Sequence, residues 1–80
     1  MKVPRDLSGQ RLAAGLCRSW DYKRVHQVGS HIILETETPT HQRLSIPAHK
    51  TVNIGTLGNI LRVVSTHKGV SREAILESIE

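Results

Sequence analysis

The spacing of apolar residues along the chain changes period twice. From Leu7 onward, Leu12, Leu16 and Trp20 recur every fourth residue, with Ala13 and Cys17 beside them. That spacing predicts one apolar stripe on a helix. Ser8 stands where an N-cap belongs, and Leu7 and Leu12 fall at the two positions of a hydrophobic staple. Gly15 weakens the helix but permits close packing. The period then shortens to two. Residues 22–28, YKRVHQV, and 31–37, HIILETE, read as strands joined by Gly29-Ser30, the signal of a two-residue type II′ hairpin. QRLSIP, 42–47, reads as a third strand that ends at Pro47, which has no N–H to give to a ladder. After a loop, Leu57, Ile60, Leu61 and Val64 restore the helical period from Thr56, and Gly69 stops it. Ser71 caps a final short helix with Ile75, Leu76 and Ile79 on one side and Glu73 near its positive end.

This order is helix, three-stranded antiparallel meander, helix, short helix. It predicts a two-layer α+β fold with the helices on one face of the sheet. At 80 residues the chain reads as one domain, 1–80, with no repeat and no linker.

A two-residue turn also fixes which residues face each other. Val28 then opposes His31, His26 opposes Ile33, Val25 opposes Leu34, and Arg24 opposes Glu35. Strict alternation puts Val25, Ile32 and Leu34 on the core face. Tyr22, Arg24, His26, Val28, His31, Ile33 and Glu35 go to the other, open face. His26 becomes a diagonal neighbour of His31, about 7–8 Å away by sheet spacing.

Composition narrows the chemistry. There is no Phe, one Trp and one Tyr, so a sheet that stacks bases on several aromatic rings is excluded. The single Cys17 makes neither an internal disulfide nor a cysteine zinc site; it sits on the apolar stripe and reads as a structural thiol in a reducing, cytoplasmic setting. The five histidines include no helical i, i+4 pair and no accompanying acidic cluster, so no metal site and no cofactor is expected. No segment reaches membrane-spanning length, and the first residues lack the apolar run of a leader. Lys and Arg number 11 against 7 acidic residues, a net charge of +4 that suits a polyanion or an acidic protein partner.

His31 is the residue this balance makes interesting. An imidazole titrates near neutral pH and stands here beside a turn, where a ligand can reach it. RNA carries its own nucleophile, the 2′-OH, so a base with nearby cations suffices for cleavage; Lys23, Arg24, Lys50 and Lys68 are candidate phosphate contacts. The plainer alternative is an ordinary surface histidine. Ser30 has no base and orienter about it and reads as a turn residue.

VGSHIIL followed by SIPAHKTVNIGTLGNIL resembles the HicA (YcfA-like) toxin family of mRNA endoribonucleases. The resemblance rests on Gly29-Ser30-His31 at the start of the second strand, Pro47 with His49, Gly55-Thr56-Leu57, and Ile60-Leu61. VSREAIL, 70–76, is similar to the family's closing segment. The resemblance implies a double-stranded-RNA-binding-like fold, cleavage of mRNA with His31 as the catalytic residue, and a HicB-type antitoxin as partner. Gly29, Ser30, Lys23, Arg24, His49, Lys50, Gly55 and Thr56 are then the expected RNA contacts. Gly55 and Thr56 either start the helix, with Thr56 as N-cap, or offer N–H groups to a phosphate. The chain departs from the family pattern at Ile32, where many members carry a polar residue or His, and at Gly58, where many carry a basic one. Two other classes of function stay open at this stage: a non-catalytic RNA-binding module on the same fold, and a subunit that binds only an acidic protein. Only the first reading requires His31 to ionise.

Overall fold

A computed structural model describes residues 6–79. The order is α1 (Gly9–Ser19), β1 (Lys23–Val28), β2 (His31–Thr36), β3 (Gln42–Pro47), α2 (Ile54–Lys68) and α3 (Arg72–Ile79), with an antiparallel sheet in the order β1-β2-β3. The predicted α+β fold is present. Leu12 and Leu16 of α1, Ile32, Leu34, Leu44 and Ile46 of the sheet, Leu57, Leu61 and Val64 of α2, and Ile75 of α3 make one apolar core between sheet and helices.

The caps are local. The Arg11 N–H donates to Ser8 Oγ at 3.1 Å, and the Ala74 N–H to Ser71 Oγ at 3.1 Å, as expected of both serines. Gly69 closes α2 in the left-handed region at φ 68°. α2 does not begin at Thr56. Asn53 is its N-cap, accepting from the Gly55 N–H at 2.8 Å, and Thr56 lies inside the first turn. The reason lies one residue earlier: Val52 is buried and its N–H donates to Leu7 O at 2.8 Å, which anchors the chain just before the helix. Gly15 does allow a close approach. A Cβ there would meet Ile79 Cγ1 at 2.6 Å, so α3 lies directly against α1.

The sheet register matches the hairpin expectation near the turn and departs from it further along. Val28 opposes His31 and His26 opposes Ile33, but Arg24, not Val25, opposes Leu34, and Lys23 opposes Glu35. Val25 is the extra residue of a β-bulge. Three assignments are corrected by this one residue. Val25 is not in the core; it is 44% exposed. Tyr22 is not on the open face; it is buried, and its hydroxyl is bonded to Gln42 Oε1. Arg24 turns to the helix side, where Nη2 donates to Gln10 Oε1 of α1 at 2.6 Å.

Lys68 is corrected as well. It is a clamp, not a phosphate contact. Its Nζ lies 4.8 Å from the Tyr22 ring centroid and donates to Thr36 Oγ1 at 2.9 Å, Thr38 O at 2.5 Å and Thr38 Oγ1 at 3.0 Å. Burial holds its ammonium below the usual lysine range.

Candidate functional site

His31 is the first residue of β2 and is exposed. The turn before it needs Gly29, whose φ is 58°. Ser30 does not share that positive φ, which excludes a type I′ turn and agrees with II′. On the other side His31 pairs with Pro47 of β3. The chain beyond Pro47 is tied back to the turn, since the Ala48 N–H donates to Ser30 O at 2.6 Å. The next residue, His49, accepts from the Gly9 N–H at 3.0 Å through its carbonyl, so the start of α1 closes on the same place. Gly9 is obligatory in that packing: a Cβ would lie 1.8 Å from Pro47 O.

The fold thus gathers Gly29, Ser30, His31, His49 and Lys50 at one end of the sheet, and both His49 and Lys50 are exposed. Gly55 and Thr56 follow in the first turn of α2. The Gly55 N–H is already taken by Asn53, which leaves the Thr56 N–H without a protein partner among the described residues. Lys23 shares the open sheet face but stands at the far end of β1, about 15 Å from the turn by strand rise. Arg24 is on the other face.

The five histidines divide by what holds their rings. His41 Nδ1 lies 2.8 Å from Glu37 Oε2, and this hydrogen bond and charge raise its pKa above the ordinary value. The His67 Nε2–H donates to Thr40 O at 2.9 Å, which assigns the proton to that nitrogen. Among the described residues His26, His31 and His49 have no hydrogen-bond partner for their rings. These three lie at or beside the Gly29-Ser30 end of the sheet.

One grouping escaped the sequence reading. Glu35, Glu37 and His41 bring their ligand atoms within 4.8 Å of one another where β2 turns into β3. Helical spacing is the wrong test for it; Glu-x-Glu and a histidine across a tight turn is the signal that would have found it. The group is largely exposed and internally paired, with Arg43 Nη1 3.5 Å from Glu35 Oε2. Cys17 is half-buried against the core. Burial pushes its thiol up, with Arg24 acting in the opposite sense. A shallow cleft of about 660 Å³ lined by Cys17, Asp21, Tyr22, Lys23, Val25 and Glu37 lies toward that far end, and His31 is not part of it. His31 instead faces an open surface, which suits a polymer more than a small molecule. No helix among the described residues is long and apolar enough to cross a membrane.

Comparison with known proteins gives a family match. The model of a family described as "HicA toxin of bacterial toxin-antitoxin" matches residues 8–64, from the α1 N-cap to the buried Val64 of α2, with α3 beyond it. No curated protein and no solved structure matches the chain.

Proposed function

The chain belongs to the HicA toxin family of bacterial toxin–antitoxin systems, and on that premise we propose that it is an endoribonuclease that cuts mRNA in the cytoplasm, with His31 as its general acid or base. The observation that carries this reading is the state of His31. Its imidazole is exposed and unengaged, on the sheet face that the helices leave open, whereas His41 and His67 are held by neighbours.

Cleavage of this kind needs no metal to supply a nucleophile, because the 2′-OH attacks the adjacent phosphorus once its proton is removed. The 2′-O–P bond forms, the P–O5′ bond breaks, and the products are a 2′,3′-cyclic phosphate and a free 5′-OH. In this reading Lys50, His49 and the Thr56 N–H are the groups that hold phosphate oxygens. A HicB-type antitoxin is the expected partner, an acidic protein covering the His31 face and offsetting some of the +4 charge.

The test is gel-resolved cleavage of a single RNA with thermal melts in parallel. His31→Ala should lose about 10²–10⁴-fold in rate. Its melting should stay close to wild type, because changes at exposed positions usually cost within about 0.5 kcal/mol. Cleavage should survive chelator, leave cyclic-phosphate ends, and fail on 2′-O-methyl RNA. Adding the co-expressed antitoxin should stop it. A His31→Ala protein that cuts as fast as wild type sinks the catalytic assignment, and a wild type that binds RNA without cutting it makes the chain an RNA-binding module.

A further inference from the structure

We propose that His26 is the second proton-transfer group of the His31 site, so that the pair works as general base and general acid on the two oxygens of one phosphodiester. The inference rests on the ribonuclease reading above and adds a residue to it.

Geometry is the first ground. His26 pairs with Ile33, and His31 sits two residues before Ile33 on the same strand. The two histidines are therefore diagonal neighbours on one face, about 7–8 Å apart between backbones. Side chains at that separation can approach a phosphate from opposite sides. The bulge at Val25 sits next to His26 and leaves the pairing between it and the turn undisturbed.

Availability is the second ground. Both rings are exposed and neither is bonded to a neighbour, unlike His41 and His67. His49 is also free, but it lies in the loop after Pro47 and outside the ladder that fixes the other two. The third ground is the surroundings. Ile33, the cross-strand partner of His26, is only 8% exposed although no helix covers that face, so the side chains around it exclude water. The remaining groups on the face are Lys23, Glu35, Arg43 and Ser45, and Glu35 is engaged by Arg43.

The step balances with both imidazoles. One neutral ring takes the 2′-OH proton as the 2′-O–P bond forms. The other, protonated, gives its proton to O5′ as the P–O5′ bond breaks. Each ring ends in the state the other began in, and return to the starting pair exchanges one proton with water.

A merely structural His26 would do no more than cover Ile33, so the test needs a readout of proton transfer. Wild type, His26→Ala, His26→Gln, His31→Ala and His41→Ala are compared on one RNA and on the same RNA with a bridging 5′-sulfur at the cut. Sulfur leaves without protonation, so it restores the rate of whichever variant lacks the acid. Both His26 variants should lose about 100-fold on ordinary RNA, at the lower end of the usual range for such groups. His41→Ala, whose ring is held by Glu37 at the far end of the sheet, should cut as wild type on both substrates. The sulfur substrate should bring either the His26 variants or His31→Ala back to within tenfold of wild type.

The inference is overturned if the His26 variants cut ordinary RNA at the wild-type rate. It is equally overturned if sulfur rescues neither histidine, or if His41→Ala loses a rate that sulfur restores. His26→Gln keeps bulk over Ile33, so a fold lost only in His26→Ala leaves the comparison intact. Full activity of His31→Ala on ordinary RNA overturns the pair by removing His31 from it, whereas a wild type that cuts no RNA is a different outcome and removes the ribonuclease reading itself.

Discussion

Tyr22 uses both ends of its side chain. The ring lies in the core beneath Lys68, and the hydroxyl reaches Gln42 across the sheet. Burial pushes its phenol up to about 12. An unfolded tyrosine ionises near 10. Between those two values the unfolded chain gives up the proton and the folded chain keeps it, so this group lowers stability as pH rises through that window. Lys68, whose ammonium is held below its usual range, contributes with the opposite sign. The chain has one tyrosine, so an alkaline titration followed by phenolate absorbance gives one clean signal. Its midpoint should fall near 12; a midpoint near 10 would contradict the burial. None of this was legible in the sequence, because strict alternation from the turn sends Tyr22 to the wrong face. His31 was legible for the complementary reason. It is the first residue after Gly29-Ser30, and a turn fixes its nearest pairs before any irregularity can accumulate.

At the scale of elements, α1 and the end of β3 are held together by the absence of a side chain. Gly9→Ala would drive a Cβ into Pro47 O, where the nearest atoms are backbone and cannot rotate away. The expected cost is about 1–3 kcal/mol, the range for overpacking. Cleavage should fall with it, since Pro47 is the cross-strand neighbour of His31. Gly58→Ala is the matched control. It lies in mid-helix with nothing within 4 Å of the added carbon, and it should stabilise by about 0.5–1 kcal/mol. Chemical unfolding of both variants checks the pair; equal effects would mean that the Gly9 contact is not what fixes α1. Most element ends could be read from residue type, as with Ser8, Gly69 and Ser71. The start of α2 could not. Asn53 and Thr56 are both good caps, and the buried positions Leu57, Ile60, Leu61 and Val64 keep the same spacing whichever one is used. Val52 decided between them through a bond to Leu7, distant in sequence and invisible to local pattern.

Over the whole molecule the basic surplus is unevenly employed. Lys68 and Arg24 bind other parts of the protein, while Lys23 and Lys50 are free to meet solvent. RNA affinity should therefore fall steeply with salt as phosphate contacts release counterions. Lys50→Glu and Lys23→Glu should each weaken binding and flatten that slope by about one counterion, with unfolding unchanged. Fluorescence anisotropy across a salt series reads both quantities. An affinity that does not move between low and physiological salt would count against an RNA-facing basic surface. The domain as a whole was more legible than its site. Period-two and period-3.6 stretches fix the layers, whereas the partners of individual cations depend on which strand face each one reaches, and one unpaired residue changed that.

That residue has a further consequence, which concerns length more than composition. Lys23 and Arg24 pair with Glu35 and Leu34, and the ladder resumes at His26 with Ile33. Val25 is surplus to this count. A chain lacking it would join Arg24 directly to His26, keep every one of those pairs, and alternate without interruption from Tyr22 to Val28. A gap at Gln27 would instead turn His26 inward, away from His31, unless the bulge itself moved. β1 is thus a strand in which a deletion at one position is silent to the alternation and a deletion two residues later inverts it. Among relatives of different length, position 25 is where the strand can lose a residue and still present the same histidines to the same face.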